Sequence, residues 1–170
     1  MRQTCVITIL GFIAAAVLFF GCGGAPGERE FHRGLKEMAR GNNVRAKDFF
    51  EKSLTLRPGS DENARAYNYI GILNFRLGLI EQATEAFENS RHLDAGFADP
   101  AYNLGVLLSR GGDVARAASL LEEAARQNTA DPRALEYLGA ICMRAGKWPE
   151  ARRALFGALA RAPQSSRVLT

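Results

Sequence analysis

Histidine and cysteine are both scarce in this chain of 170 residues, which contains two histidines and three cysteines. His32 and His92 do not stand at metal-ligand spacing, and neither a glycine-rich phosphate loop nor a nucleophile elbow occurs. The chain therefore lacks the residues of a metal centre or of an activated nucleophile. We predict that it is not an enzyme, that it has no catalytic residues and that it needs no metal or other cofactor.

An excess of one charge sign is also missing, since 22 lysines and arginines face 18 acidic residues. The two signs are interleaved along helical stretches and form no basic run, so nucleic acid is not a predicted partner. Apolar residues make up 47% of the chain and charged residues 24%, which excludes a disordered or collagen-like polypeptide. Most of the chain therefore folds, and it is long enough for one domain with its own core.

The start of the chain differs from the rest, because a short positive segment precedes an apolar run over residues 5–20. At about 16 residues, this run is shorter than the roughly 20 that cross a bilayer as a helix. The segment Phe19-Phe20-Gly21-Cys22-Gly23 resembles the lipobox of bacterial lipoproteins, although its two phenylalanines depart from the family's usual leucine and small residue. The resemblance implies a signal peptide over 1–21, a lipidated Cys22 and a flexible tether over 22–27. A retained single-span anchor is the alternative.

Cysteine usage agrees with this interpretation. Removal of the signal would leave Cys22 and Cys142, which excludes a disulfide framework. Cys142 stands among apolar residues and is interpreted as a small buried side chain without a redox or metal role.

Beyond the tether, three types of position recur at intervals of 34 residues. The recurring residues are Gly71, Gly105 and Gly139, then Gly78, Gly112 and Gly146, then Ala83, Ala117 and Ala151. The pattern extends back to Gly34, Gly41 and Ala46 with a step of 37 residues, which indicates an insertion around Gly59-Ser60-Asp61. The chain is therefore predicted to be a repeat array.

Each repeat contains two segments with apolar residues at helical spacing. The second glycine of each copy is expected to end the first helix in a left-handed conformation. The first glycine lies within a helix, which predicts a close helix contact, and Gly105 with Ala117 is the expected pair. Asp99 and Asp131 are expected to cap the first helices of the third and fourth copies.

These residues resemble the tetratricopeptide repeat, a helix-turn-helix unit of 34 residues. The resemblance implies an all-α, right-handed α-solenoid over residues 27–163, followed by a C-terminal tail over 164–170. Its four copies are residues 27–60, 64–97, 98–131 and 132–163. Arg33 stands where the other copies have an apolar residue, so the first copy is predicted to be an imperfect, solvent-facing end.

The resemblance also implies a concave groove, lined by the first helix of each copy, that binds extended peptides or helices of other proteins. Arg76, Arg110 and Arg144 recur with the repeat and form a ladder that either recognises carboxylates or complements helix C-termini. Asn103 and Arg133 match part of a carboxylate clamp, but Ile72 and Tyr137 do not, so hydrophobic anchors are the predicted ligands. The predicted lining comprises Phe31, Leu35, Asn68, Ile72, Phe75, Arg76, Tyr102, Asn103, Val106, Arg110, Arg133, Met143 and Arg144.

The last helix presents a second predicted interface. Leu155, Phe156 and Leu159 would meet water if no further helix covers them, because each second helix of such an array is normally covered by the next copy. We expect this end to bind a partner protein or a second copy of the chain, giving a homodimer through the last helix. A frayed end that is merely tolerated is the alternative.

The whole layout of signal, acylated cysteine, tether and repeats resembles the pilotins of type IV pilus biogenesis, which are tetratricopeptide lipoproteins that help a secretin assemble. The resemblance implies a non-enzymatic scaffold in the bacterial cell envelope, lipid-anchored to the outer membrane and facing the periplasm. The alternative is an inner-membrane assembly factor of respiratory or cytochrome biogenesis, held by one uncleaved span.

Overall fold

The computed structural model describes residues 25–60 and 62–161, and these residues form eight α-helices and no strand. The helices are α1 (Pro26–Ala39), α2 (Asn43–Leu56), α3 (Glu62–Arg76), α4 (Ile80–Leu93), α5 (Ala98–Arg110), α6 (Val114–Gln127), α7 (Arg133–Arg144) and α8 (Trp148–Arg161). None of these helices combines the length and the hydropathy that a membrane span requires. The predicted signal peptide, Cys22 and the tail over 164–170 lie outside the described residues.

The helices form four consecutive pairs, α1 with α2, α3 with α4, α5 with α6 and α7 with α8, each packed against the next. These pairs correspond to the four repeats predicted from the glycine and alanine spacing. One boundary differs from the prediction, because Pro26 was assigned to the tether alone but is the first residue of α1, while Gly27, at which the first copy was predicted to begin, follows it in the helix. Proline is favoured there, since its missing N–H would have no helical partner at that position.

The turn inside each pair is made by the second glycine of the repeat, as predicted. Gly41, Gly78, Gly112 and Gly146 all have positive φ, between 69° and 91°. After Gly78, the Leu79 N–H donates to the Asn74 carbonyl at 2.9 Å, which satisfies an acceptor at the end of α3. Glycine is required because other residues adopt this conformation only at a steric cost.

The first glycine of each repeat lies where the two helices of a pair are closest. A Cβ atom added to Gly71 would lie 2.5 Å from Cε1 of Phe87, and one added to Gly139 would lie 2.6 Å from Leu155. The predicted partnership of Gly105 with Ala117 is incomplete. The nearest atom to a Cβ on Gly105 is Cγ of Leu121 at 3.0 Å, and Ala117 contributes its backbone carbonyl at 3.2 Å.

The core runs along the stack as a series of apolar clusters between helices. In the first cluster Phe31 packs edge-on to Phe50, with ring centroids 5.4 Å apart, and Tyr69 of the second pair stacks on Phe50 at 5.2 Å. Polar contacts join the second and third pairs at the surface, where Arg91 of α4 binds Glu123 of α6 at 2.8 Å. Beyond its own two helices, each pair therefore contacts chiefly the pairs next to it in sequence.

Neither of the two predicted aspartates stands at an N-cap position, although Asp131 does accept a backbone N–H at the start of α7. Helix α5 begins at Ala98, so Asp99 lies inside its first turn and Phe97 is the N-cap, without a side-chain hydrogen bond. Asp131 precedes the N-cap residue Pro132, and its carboxylate accepts the Arg133 N–H at 2.9 Å. Of this pair, only Asp131 therefore satisfies a free N–H group at a helix start.

Candidate functional site

The first helices of neighbouring pairs lie beside one another, α3 next to α5 and α5 next to α7. We call the face that these first helices share the inner face; it includes Ile72, Phe75 and Arg76 of α3, Tyr102, Val106 and Arg110 of α5, and Arg133 and Tyr137 of α7. The side chains on this face make most of their specific contacts across the junctions between pairs, so two junctions define its geometry.

At the junction of α3 and α5, polar and aromatic groups pair across the two helices. The Asn103 side-chain amide donates to Oδ1 of Asn68 at 2.9 Å. Further along the two helices, the guanidinium of Arg110 lies over the ring of Phe75, 5.2 Å from its centroid. This cation–π contact holds Arg110 above an aromatic surface while the side chain stays exposed.

At the junction of α5 and α7, an aromatic and ionic cluster forms around Tyr102. Its ring packs edge-on to Tyr137 at 6.3 Å and lies beneath the guanidinium of Arg133 at 5.3 Å. Arg133 also binds the carboxylates of Asp131 at 2.6 Å and Asp99 at 3.1 Å. Burial raises the pKa of the Tyr102 phenol above its ordinary value, which is already well above physiological pH. The two carboxylates neutralise Arg133, which is thereby less available to an external anion.

Two residues predicted to line the groove are buried in the core. Phe31 is 6% exposed because it fills the space between Phe50 and Tyr69, and Asn68 is 3% exposed beneath α5. Neither side chain offers a ligand a free surface. The remaining predicted residues are half-buried or exposed, and they are Leu35, Ile72, Phe75, Arg76, Tyr102, Asn103, Val106, Arg110, Arg133, Met143 and Arg144.

The three arginines of the predicted ladder differ in their surroundings. Arg110 is fixed over Phe75, whereas Arg76 and Arg144 are exposed and make no ion pair within residues 25–60 and 62–161. Each of the three lies at the last position of its helix, where the helix dipole favours positive charge. Both predicted roles of the ladder are therefore compatible with the geometry.

The far end of the stack carries a second apolar surface, which we call the α8 face. It is a shallow groove of about 320 Å³ lined by Met143, Trp148, Ala151, Arg152, Leu155, Phe156 and Leu159. The predicted residues Leu155, Phe156 and Leu159 are all exposed. Sequence reasoning missed Trp148, although it is the only tryptophan of the chain and stands at a helix start, and it assigned Met143 to the inner face.

No group of three or more potential metal ligands occurs within the described part of the chain. Cys142 is buried, and burial raises the pKa of its thiol, so the reactive thiolate is disfavoured.

Comparisons with known proteins agree with this geometry. A family model described as tetratricopeptide repeat matches residues 110–170. A crystal structure of MamA aligns with a TM-score of 0.74 and 22% identity, covering 91% of this chain and 89% of that chain. A thermophilic tetratricopeptide protein of Thermus thermophilus aligns with a TM-score of 0.64 and 22% identity, covering 79% and 73%. The described residues adopt the tetratricopeptide-repeat fold.

A third similar structure is MamA from Desulfovibrio magneticus RS-1, with a TM-score of 0.69 and 17% identity over 82% of this chain and 77% of that chain. No curated protein sequence matches the chain. Tetratricopeptide-repeat proteins generally mediate protein–protein interaction and are generally not enzymes. The specific ligand of such an array depends on the side chains that it presents and does not follow from the fold.

Proposed function

We propose that this chain is a non-enzymatic scaffold whose inner face binds an extended peptide or a helix of another protein. The observation that carries the proposal is the composition of that face in the second and third pairs. Ile72, Phe75 and Val106 provide a half-buried apolar floor, and Arg76 and Arg110 stand at its edge. Such a surface suits a ligand with apolar anchors and nearby carboxylates.

Site-specific photo-crosslinking in the native cell tests this proposal. A photoreactive phenylalanine analogue replaces Val106 on the inner face, and the matched control carries it at Arg116, which is exposed on α6. We expect discrete adducts with other proteins from position 106 and none from position 116. The same adducts from both positions, or none from either, would contradict binding at the inner face.

Charge reversal tests which chemistry the inner face recognises. Arg76→Glu and Arg110→Glu are expected to weaken the adduct from position 106 if the partner presents carboxylates beside its anchors. Arg116→Glu is the control, because Arg116 is exposed on α6 and is also paired with an aspartate of the preceding turn. An equal effect of all three substitutions would indicate a general charge effect.

The finer proposal is that Cys22 is acylated and tethers the array to the outer membrane, facing the periplasm, where it assists assembly of an envelope complex. Assembly of a type IV pilus or its secretin is the specific proposal. Its support is the lipobox-like segment at Gly21-Cys22 together with the overall layout of signal, tether and repeats.

Membrane fractionation of Cys22→Ala tests the anchor. We expect the variant to leave the membrane fraction or to accumulate as an unprocessed precursor, with the helical array still folded. Release of the wild-type chain by salt alone would contradict lipidation, because two or more acyl chains hold a protein stably. Mass spectrometry showing an unmodified Cys22 within a full-length chain would favour the single-span inner-membrane alternative.

A further inference from the structure

Among the described residues, the α8 face lacks the cover that every other second helix has. Leu155 occupies the repeat position of Phe50, Phe87 and Leu121, which are 0%, 1% and 0% exposed. These three side chains are shielded because the first helix of the next pair packs on α2, α4 and α6. Leu155 is 37% exposed. Leu155 therefore stands at a position that the next helix covers in each of the other three copies.

The exposed side chains around Leu155 are larger and more apolar than the repeat requires. Phe156 is 65% exposed and stands at the position where the other three copies have Glu51, Glu88 and Glu122. Trp148 at the opposite end of the groove is 66% exposed. A solvated helix end would carry polar residues at both positions, as the other copies do at the position of Phe156.

The charges at this face restrict its occupant. Arg152 lines the groove, and Arg144 and Lys147 are exposed beside Met143 and Trp148, whereas no acidic side chain of the described residues lines it. A second copy of the chain would bring the same basic residues to its own α8 face. The opposite end of the array is no better suited, because the exposed charged side chains of α1 are Arg29, Arg33 and Lys36, whereas Glu30 and Glu37 are buried and Glu28 is half-buried. Charge complementarity therefore favours an acidic occupant.

We propose that the α8 face binds an amphipathic helix of another protein, with an apolar stripe flanked by carboxylates, in the place that α3, α5 and α7 take on α2, α4 and α6. The large exposed side chains offer roughly 500 Å² of apolar surface. The complex would then bury about 1,000 Å² in total, near the lower limit for a specific interface, so the association is expected to be reversible. This surface is separate from the inner face.

Trp148 makes the proposal directly measurable, since it is the chain's only tryptophan and lies on the α8 face. The probes are two synthetic helical peptides that carry the apolar pattern of α7. One peptide has glutamates and the other has lysines at all positions outside the apolar stripe, including those that flank it. With the full-length chain, we expect the glutamate peptide to shift the Trp148 emission to shorter wavelength at low salt. We expect the lysine peptide to bind at least about fivefold more weakly.

Two variants locate the binding. Phe156→Lys with Leu159→Lys should abolish the shift, and circular dichroism should show an intact array because both side chains are exposed. Arg152→Glu should reduce or reverse the preference for the glutamate peptide. Equal binding of both peptides, or no binding of either, would overturn the proposal.

Two further measurements on the free chain discriminate the other occupants. Shielding of Trp148 from acrylamide in a monomeric chain would show that the chain's own residues cover the α8 face, which overturns the proposal. A dimer that dissociates on Phe156→Lys would assign the face to a second copy and overturn it as well. A monomer in which acrylamide quenches Trp148 freely is the result that the proposal requires.

Discussion

At the scale of single residues, a recurring feature of the repeat is the close approach of the two helices of a pair at its first glycine. The side chain opposite that glycine differs between copies: a phenylalanine ring faces Gly71, whereas the more flexible Leu121 faces Gly105. The same small residue therefore meets a rigid neighbour in one pair and an adaptable one in another. The cost of adding a methyl group should differ accordingly.

Gly71→Ala is expected to lower the free energy of unfolding, because its Cβ would lie 2.5 Å from the Phe87 ring. The overpacking cost of about 1–3 kcal/mol exceeds the gain of roughly 1 kcal/mol from replacing a helical glycine. Gly105→Ala is the matched control and should lose less free energy of unfolding. Adding Phe87→Leu to Gly71→Ala should restore part of the free energy that Gly71→Ala loses. Urea unfolding measures all three, and equal losses for the two alanine variants would contradict the role of the ring.

The conformation of the turn glycines could be predicted from the sequence, whereas the burial of individual groove residues could not. The turn glycines were predictable, because the requirement for positive φ at Gly78 is local and leaves a recognisable residue. The burial of Phe31 was not predictable from its repeat position, since it depends on Phe50 and Tyr69 meeting it from two other helices. Asn68 is buried for the same kind of reason, beneath Asn103 of the next pair.

At the scale of the helix pair, Ala117 sits inside the close contact between α5 and α6 and is 0% exposed. Ala117→Leu forces a larger side chain into this contact and is expected to destabilise the array by about 1–3 kcal/mol. Ala115→Leu is the control, because Ala115 lies on the exposed side of the same helix. Thermal unfolding compares the two variants. An unfolding midpoint of Ala117→Leu equal to that of the wild type would show that the contact between α5 and α6 accommodates a larger side chain.

The start of α7 gives a prediction that depends on pH. The side-chain hydrogen bond from Arg133 lowers the pKa of Asp131 below its usual value near 3.8. Because the pKa of Asp131 is lower in the folded state than in the unfolded state, its carboxylate stabilises the fold fully at pH values above the unfolded-state pKa. This stabilisation is lost as the pH falls through the folded-state pKa. Asp131→Ala should therefore cost about 1 kcal/mol at pH 7, a typical capping loss, and progressively less below about pH 4.

Urea unfolding of Asp131→Ala at neutral, mildly acidic and strongly acidic pH checks this expectation. Asp131→Asn is the control, since it keeps an acceptor for the Arg133 N–H but removes the charge. A loss that stays constant across this range would show that the carboxylate charge contributes nothing.

Helix boundaries were only partly predictable at this scale. The Asp-Pro pairs at Asp99 and Asp131 look alike in sequence, yet of the two only Asp131 accepts a backbone N–H at a helix start. The α5 helix begins earlier, at Ala98, so Asp99 turns instead toward Arg133 of the next pair. A contact between pairs has therefore replaced a local cap.

At the scale of the whole molecule, the repeat period predicted the order and number of helix pairs because each pair contacts chiefly its neighbours in sequence. The α8 face was predicted from the same logic, through Leu155, Phe156 and Leu159. The pairing of Arg110 with Phe75 and of Arg133 with Tyr102 was not predicted. Such contacts depend on how one pair is rotated against the next, which the sequence spacing does not specify.

This architecture predicts a gradient of local stability along the stack. The helices α3 to α6 are supported by neighbouring pairs on both sides, whereas α1, α2, α7 and α8 belong to pairs with a described neighbour on one side only. Amide hydrogen exchange should therefore be slowest in α3 to α6 and faster toward both ends. Uniform protection of all eight described helices would instead indicate one cooperative unit.

Arg91 offers a way to weaken one junction of the stack without disturbing its core. Its guanidinium is bound by Glu88 of its own helix and by Glu123 of α6, with an Nη2–Oε2 distance of 2.8 Å to Glu123. Arg91→Met keeps most of the aliphatic stem but leaves both carboxylates without their cation, which loosens α4 from α6. Amide hydrogen exchange in α6 should then accelerate several-fold more than in α2. Helix α2 belongs to the first pair, whereas Arg91 and Glu123 belong to the second and third pairs.

Arg45→Met is the control for this prediction, because Arg45 is exposed on α2. Equal acceleration in α2 and α6 would show that the junctions are not independently stabilised, and the array would then unfold as a single unit rather than pair by pair.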